Sequence, residues 1–348
     1  MKKLFVFSIT LLSIAACQEP TFKTSPASKE NSISIVEPEA DEKSDNKSAR
    51  LGRFISNPYW NLYRGNNDGL WYNYSSNGTS WSSSLQVNSG ALLDQSPQAI
   101  FFNDRLVVVH RGRYSSGGGE TQQIYLTYSD DGINWTQINV PAYTQSTPAL
   151  AIHNNKLFIF YNATSGGAIG QVNTTDLVNW SGSTVNINES NVWNYGLSAA
   201  VDNLNRIHLF YHFNSGGTIR MRSQSSNDGQ NFGDFNSFFK DYGVSTGVDV
   251  DAVAYNGSVA MVFRGANYSV RVIPNILLTS IYNIPNAQTS RGPSITTYNG
   301  GLHVSYKGNS TNNIWYSYST NGGVNWAPQT THSGSTPSGP DVTAIGAH

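Results

Sequence analysis

The chain has little charge and almost no cysteine. Lys, Arg, Asp and Glu make up 12% of its 348 residues, and 21 basic residues nearly balance 22 acidic ones. Proteins that bind nucleic acid normally carry a basic excess, so the composition argues against that class. The single cysteine, Cys17, lies near the N-terminus. The remainder of the chain therefore contains no thiol for a disulfide or for cysteine catalysis.

The sequence also lacks amphipathic helical periodicity, which predicts that helices are scarce. The seven histidines do not cluster as metal ligands do, and there is no nucleophile elbow or phosphate-binding loop. Acidic turns such as "SDDG" lack the ligand spacing of a known calcium site. We therefore predict no cofactor and no metal. Aromatic residues reach 12% and glycines number 32, which together with many Asn, Ser and Thr is typical of an all-β protein.

The N-terminal segment has the features of a secretory signal. Two lysines precede an apolar run at 4–12, and small residues then lead to the cysteine. The run is too short to span a bilayer comfortably. The stretch Ile14-Ala15-Ala16-Cys17 resembles the lipobox of bacterial lipoproteins. That resemblance implies a signal peptide at 1–16, acylation of Cys17, and a lipid-anchored protein of the cell envelope, at the outer membrane or cell surface.

A tether follows the cysteine and extends to residue 52. It mixes charge, serine and proline with almost no aromatic residues, so it cannot bury enough apolar surface to order itself. It holds five of the chain's seven glutamates, which leaves only Glu120 and Glu189 for the folded part. We expect the folded domain to occupy residues 53–348.

The folded part repeats with a period of roughly 43 to 53 residues, the size of a four-stranded propeller blade. Each unit opens with a short apolar strand that ends in an Asn- or Asp-containing turn. These first strands are anchored at Pro97, Pro148, Leu197, Val250, Pro293 and Pro340. A second strand such as "KLFIFYNA" and a third such as "IWYSYS" follow. The repeat predicts an all-β protein built from four-stranded blades.

The two ends of the repeat region complete each other. The chain stops after "GPDVTAIGAH", which is only a first strand, and the folded part begins with a second and a third strand. The C-terminal strand is therefore expected to lie innermost in the N-terminal blade and to close a ring of six blades. Closure removes the sheet edges that would otherwise template aggregation.

A turn motif recurs between third and fourth strands, as "SSNGTSW" at 75–81, "SDDGINW" at 129–135 and "STNGGVNW" at 319–326. These stretches resemble the Asp-box (BNR repeat) of bacterial sialidases and related propellers. In physical terms the motif is a hairpin clamp, because Asp or Asn bonds to nearby backbone, Gly supplies a positive φ and Trp covers the turn. The resemblance implies that the box is structural and remote from any sugar site.

Function is therefore expected on the opposite face, where first strands start and second strands end. The second-strand ends place a mostly cationic column there: Arg64, Arg111, Asn162, His212, Arg264 and Lys307. Arg291 precedes a first strand, and the third strands begin nearby with Trp71, Tyr125 and Trp315. Guanidinium groups and aromatic rings are suited to glycan hydroxyls, carboxylates and apolar sugar faces. The alternative is that these cations bridge neighbouring blades through carboxylates and carbonyls.

The recurrent pairing of a cation with an aromatic is similar to the six-bladed fucose-type lectins, which hold sugars between adjacent blades. Three pairs match that pattern best: Arg64 with Trp71, Arg111 with Tyr125, and Lys307 with Trp315. Glutamate is nearly absent from these positions, which departs from such lectins. This resemblance implies a glycan-binding protein without catalysis.

The sialidase resemblance implies instead three arginines on a substrate carboxylate, for which Arg111, Arg264 and Arg291 are available, or Arg64 in place of one of them. The Phe/Tyr-Arg-Ile-Pro motif of that family is missing. A glycosidase in general needs two carboxylates that flank the scissile bond. Asp94, Asp251 and Asp341 are the candidates. Asp251 ranks first because its apolar surroundings predict a raised pKa, although it is equally placed to pair with an arginine.

We therefore expect a lipid-anchored propeller whose partner is a glycan or glycoconjugate, and which contacts the membrane only through its anchor. A glycoside hydrolase and a protein-interaction propeller are the alternatives. Fold alone does not decide among them.

Overall fold

The computed structural model describes residues 52–115, 119–164, 167–187, 192–215, 217–233, 248–278 and 280–346. The predictions for the signal peptide, Cys17, the tether and Glu189 lie outside these residues. In the described part, helix is confined to a short segment at 52–56 and a 3₁₀ turn at Ala266–Tyr268. No described helix is long and apolar enough to cross a membrane.

The rest of the described fold is built from short strands. In chain order they are β1 Tyr59–Arg64, β2 Leu70–Ser75, β3 Leu85–Gln86, β4 Gln98–Phe102, β5 Arg105–Arg113, β6 Glu120–Ser129, β7 Thr136–Tyr143, β8 Ala149–His153, β9 Lys156–Asn162, β10 Ile169–Thr174, β11 Ser181–Thr184, β12 Ser198–Val201, β13 Ile207–Ser215, β14 Thr218–Ser226, β15 Asp251–Tyr255, β16 Ser258–Arg264, β17 Ser269–Ile273, β18 Tyr282–Gln288, β19 Ser294–Tyr298, β20 Gly301–Lys307, β21 Asn313–Ser319, β22 Thr330–Ser335 and β23 Asp341–Ala344.

These strands form six antiparallel sheets, which are the six predicted blades. Blade 1 has the order β23-β1-β2-β3, and blades 2 to 6 follow as β4–β7, β8–β11, β12–β14, β15–β18 and β19–β22. Blade 4 shows three strands within the described residues, and the other blades show four. The C-terminal strand pairs with β1 in a register that sets Asp341 opposite Leu62 and Ala344 opposite Tyr59. The predicted ring closure is confirmed.

The innermost strand of each blade borders a narrow channel. Its cavity is only about 50 Å³ and its wall is mostly Ala, Val and Ile, with Asp251 and Asp341 as the only charged lining residues in the described part of the chain. Both faces of the blades are buried against neighbouring blades, which explains the continuous apolar runs in second strands such as β9 and β16. Strand direction places the linkers between blades at one end of this channel and the box turns at the other.

The turns that follow the third strands of blades 1 to 4 and 6, which we call box turns, share one hydrogen-bond arrangement. In the turn of blade 2, the Gly132 N–H donates to Ser129 Oγ at 2.8 Å. The N–H groups of Ile133 and Asn134 both donate to Asp131 Oδ1 at 2.8 Å. The glycine adopts φ of 68°, a conformation that costs glycine little. The same pattern recurs around Ser75, Thr174, Ser226 and Ser319.

Each well-formed box also packs against the preceding blade. The Tyr72 hydroxyl of blade 1 donates to the Gly132 carbonyl at 3.0 Å, and a Cβ on Gly132 would collide with the Trp60 ring. Trp135 is 7% exposed and its ring centroid lies 5.4 Å from that of Tyr72. The box of blade 2 therefore joins its own hairpin to blade 1, which is a structural role.

Candidate functional site

The linkers between blades surround a cavity of about 320 Å³ at one end of the channel, which we call the mouth. Five linkers contribute to its lining. Its lining includes the side chains of Arg64, Asp94, Gln95, Tyr195, Asp249 and Arg291. The mouth thus combines two guanidinium groups, two carboxylates and an aromatic ring within a volume that suits a small ligand.

Asp249 is held in the centre of these linkers. Its Oδ1 accepts the Gly196 N–H at 2.8 Å, and its Oδ2 accepts the Thr147 hydroxyl at 3.0 Å. A Cβ on Gly196 would collide with the carboxyl group, and one on Gly292 would lie 2.8 Å from Asp249 Cβ. Two glycines therefore make room for this side chain. Burial raises the pKa of Asp249, against smaller opposing effects of Gly196, Thr147 and Arg291.

Arg64 and Asp94 form the opposite side of the mouth. Arg64 Nε donates to Asp68 Oδ1 at 2.9 Å, and its Nη1 donates to the Asp94 carbonyl at 2.9 Å. The Asp94 carboxylate lies 3.3 Å from Arg113 Nη1 and 3.6 Å from Arg111 Nη1. Asp94 therefore belongs to an ion-pair network that fixes the orientation of its carboxylate.

The other cations of the predicted column brace the linkers. Arg111 is 4% exposed, forms an ion pair with Glu120 and donates from Nη1 to the Gln145 carbonyl at 2.5 Å. Arg264 donates to the Ser290 carbonyl at 2.9 Å, and Lys307 Nζ donates to Ser290 Oγ at 2.8 Å. These are the blade-to-blade contacts that the sequence left as the alternative. Burial lowers the pKa of Lys307 and of Arg264, with a further effect of Arg291 on both. Of the predicted cations, only Arg64 and Arg291 line the mouth.

The predicted aromatic residues lie farther from the channel, on third strands. Trp71, Tyr125 and Trp315 are half-buried and do not line the mouth. Each ring covers a glycine that follows the second-strand cation, since a Cβ on Gly65, Gly112 or Gly308 would press against Trp71, Tyr125 or Trp315 respectively. The structure therefore does not bring these rings together with Arg64 and Arg291 in one cavity.

Asp251 and Asp341 lie in the channel wall beneath the mouth. Asp251 is 7% exposed and accepts four hydrogen bonds, from Ser198 Oγ at 3.0 Å, Ala252 N at 2.9 Å, Ser294 Oγ at 2.7 Å and Ile295 N at 2.9 Å. Its partners are hydroxyl and amide groups of its own blade 5 and of the adjoining blades 4 and 6. Neither Arg264 nor Arg291 is among them. Burial raises the pKa of Asp251, in the direction the sequence predicts.

Asp341 shares one hydroxyl group with Asp251. Ser294 Oγ lies 2.9 Å from Asp341 Oδ1 and 2.7 Å from Asp251 Oδ2, and it also accepts the Val342 N–H at 3.0 Å. A serine hydroxyl has one proton, so it can donate to only one carboxylate. Burial, together with the Asp251 charge, raises the pKa of Asp341 well above its ordinary value. A protonated Asp341 that donates to Ser294 satisfies every one of these contacts.

Sequence reasoning missed part of the mouth. Tyr195 lines it, and its ring lies 5.8 Å from that of Trp193, which is 39% exposed. Both residues lie in a linker that has no strand pattern. The pair of glycines at 196 and 292, each preceding a first strand, was the one available signal that a side chain crosses there.

Among the residues described, no group of three or more His, Cys, Asp or Glu side chains is arranged to hold a metal ion. Six of the histidines that the structure describes are buried. Burial lowers the pKa of His212 and His110 to about 4, and His212 is completely buried behind the Tyr195 ring.

Comparison with known proteins shows the fold. No family model matches the chain, and no curated protein matches it. The structure is similar to that of a protein of unknown function from Dyadobacter fermentans, with 15% identity and a TM-score of 0.52 over 76% of this chain and 82% of that one. It is also similar to the Hadza microbial sialidase Hz136, with 12% identity and a TM-score of 0.53 over 80% of this chain and 72% of that one. The chain therefore has a sialidase-like β-propeller fold.

Proposed function

We propose that this protein is a carbohydrate-binding propeller that holds a glycan at the mouth of its channel. The observation that carries the proposal is the cavity itself, in which Arg64 at the end of β1 meets Asp94, Tyr195, Asp249 and Arg291 from four separate linkers. Rigid polar groups beside an aromatic ring are suited to a sugar, because the ring covers its apolar face while the polar groups fix its hydroxyls. The fold shared with a microbial sialidase is consistent with such a ligand.

Arg291 is the cation we expect to contact the ligand most directly. It is exposed, and the one hydrogen bond of its side chain among the described residues runs from Nε to the Pro337 carbonyl at 3.1 Å. Arg64, in contrast, is engaged by Asp68 and by the Asp94 carbonyl. The planar Nη groups of Arg291 remain available for a carboxylate or for paired hydroxyls.

A glycan array with the purified protein tests the proposal. The wild-type protein should bind a defined set of glycans, and Arg291→Met should weaken that binding while the protein remains folded. Arg105→Met is the matched control, because Arg105 pairs with Asp130 at the opposite end of the blades. Equal binding by Arg291→Met and wild type would reject the mouth as the site.

A second candidate, a glycoside hydrolase, is favoured by the two carboxyl groups that line the mouth. Burial raises the pKa of Asp249, and the protonated form is the one a general acid requires. Asp94, paired with Arg111 and Arg113, would then be the second carboxylate. A panel of aryl glycosides decides between the candidates. A hydrolase turns over one of them and loses turnover in Asp249→Asn, whereas a lectin turns over none.

We further propose that the protein is a lipoprotein of the cell envelope, anchored through Cys17. The proposal rests on the resemblance of 14–17 to a lipobox. Cys17→Ser should not incorporate radiolabelled palmitate. Incorporation equal to that of wild type would reject the anchor.

A further inference from the structure

The six blades carry an aromatic ring at one equivalent position of the second strand. These residues pair in register with a third-strand residue, and they are Tyr63, His110, Tyr161, Tyr211, Phe263 and Tyr306. Five of them are at most 4% exposed. Tyr161 in blade 3 differs, because it is only half-buried.

The exposure of Tyr161 follows from the residue opposite it. That residue is Gly170, whereas blades 1, 2 and 6 have Trp71, Tyr125 and Trp315 at the same third-strand position. The Tyr161 ring lies directly against Gly170, so that a Cβ there would collide with it. In blade 3 no third-strand side chain covers the second-strand ring. The outer part of the blade face is therefore left open.

The open space is a groove of about 470 Å³ between blades 2 and 3. Tyr161, Trp180 and Pro141 provide its apolar surfaces, and Ser181 and Thr184 of β11 provide exposed hydroxyls. No charged residue lines it within the described part of the chain. The Tyr161 hydroxyl has no hydrogen-bond partner among the described residues, and burial raises the pKa of Tyr161, so the hydroxyl remains a neutral donor.

We propose that this groove is a second carbohydrate subsite, which holds a neutral pyranose ring against Tyr161 and Trp180. The inference rests on the proposed glycan-binding function but concerns a place separate from the mouth. Half-buried aromatic rings beside hydroxyl donors suit a sugar ring, whose C–H faces stack and whose hydroxyls hydrogen-bond. The volume is sufficient for a ligand of this size. The absence of lining charge selects an uncharged sugar, in contrast to the mouth with its Arg and Asp side chains.

Isothermal titration calorimetry with four neutral oligosaccharides tests the subsite: cellohexaose, xylohexaose, laminarihexaose and mannohexaose. Wild-type protein should bind at least one of them. Tyr161→Ala and Trp180→Ala should each weaken that binding by about tenfold or more. Gly170→Trp, which recreates the arrangement of blade 1, should block the groove. Tyr143→Ala is the matched control, because Tyr143 is a 56% exposed tyrosine of the adjacent blade that does not line the groove.

Arg291→Met separates this proposal from that for the mouth. Binding of the neutral oligosaccharide that survives in Arg291→Met and is lost in folded Tyr161→Ala supports the groove, whatever happens at the mouth. Binding that is lost in Arg291→Met but unchanged in Tyr161→Ala and Trp180→Ala overturns the groove and leaves the mouth intact. Failure of all four oligosaccharides to bind the wild-type protein also overturns the groove.

Discussion

Two levels of the same channel carry pairs of carboxyl groups, and the two pairs differ in what surrounds them. In the wall, Asp251 and Asp341 are engaged by serine hydroxyls and by backbone amides of neighbouring blades. At the mouth, Asp94 and Asp249 line a cavity that also contains Arg64 and Arg291. A burial-raised pKa is found at both levels, for Asp249 above and for Asp251 and Asp341 below.

A raised pKa of a carboxyl group is therefore not by itself evidence of a ligand-binding site. The wall acids have donors for their oxygen atoms and almost no free volume beside them, since the channel cavity is about 50 Å³. The mouth acids face about 320 Å³. We therefore propose that the wall pair helps to close the ring and that the mouth pair contacts a ligand.

The largest expected effect comes from removing the Asp251 charge. Asp251→Asn keeps the shape but replaces one acceptor oxygen with an NH₂ group, which then faces the Ile295 N–H and the Ser294 hydroxyl. Two stranded buried contacts at about 1–3 kcal/mol each predict a loss of about 4 kcal/mol in the free energy of unfolding. Chemical denaturation measures it.

Asp341→Asn is the internal comparison for that experiment. Since we infer that Asp341 already carries a proton, an amide that donates to Ser294 Oγ should cost less than about 1 kcal/mol. Equal destabilisation by the two substitutions would show that Asp341 does not carry the proton that we assign to it.

A substitution at the box end of the blades should change stability without changing binding. Trp135→Ala removes a ring that packs on Tyr72 of the preceding blade and should cost about 3 kcal/mol. Ile133→Ser, at a turn tip that is 52% exposed, is the matched control and should cost less than about 0.5 kcal/mol. Loss of glycan binding per folded molecule in Trp135→Ala would indicate a binding site at the box end of the channel and not at the mouth.

The pH dependence of stability should separate wild type from Asp341→Asn. The folded pKa of Asp341 is raised above its ordinary value of 3.8, so the folded state binds more protons than the unfolded state above that pH. Its contribution is therefore fully present below about 3.8 and is lost as pH rises through the folded pKa.

Urea unfolding across this pH range measures the contribution as the difference between the two proteins. The comparison with Asp341→Asn is needed because four buried histidines act in the opposite direction. Burial lowers the pKa values of His110, His212, His303 and His332, so these residues destabilise the fold as pH falls. Wild-type stability should decline relative to Asp341→Asn as pH rises. Parallel curves would mean that the pKa of Asp341 is the same in the folded and unfolded states.

The fold followed from the sequence because its signals are local and repeated. The strand period and the box turns each depend on neighbouring residues, and the complementary ends at 59–75 and 341–344 agree with the blade count that they predict. The site followed only in part. Arg64, Arg291 and Asp94 lie together at the end of the channel where the sequence predicts them. Which cation faces the cavity and which binds a carbonyl depends on linker paths, such as the one that carries Tyr195, and these have no periodicity.

The contacts of the channel wall and the groove could not be predicted from the sequence for the same reason. Asp251 was recognised as a buried acid, but three of its four donors lie 43 to 53 residues away in the chain. The groove depends on one missing side chain, at Gly170. A glycine in a strand pattern marks a close approach or a gap, and only the packed structure shows which.

We propose that ligand is held at the mouth and not in the channel wall. Isothermal titration calorimetry of Arg291→Met and Arg105→Met, with the tightest-binding glycan from the array, tests this proposal directly. Loss of a charge-assisted hydrogen bond predicts at least about a tenfold weaker affinity for Arg291→Met. Arg105→Met should bind as wild type does. Wild-type affinity in a folded Arg291→Met protein would contradict the account.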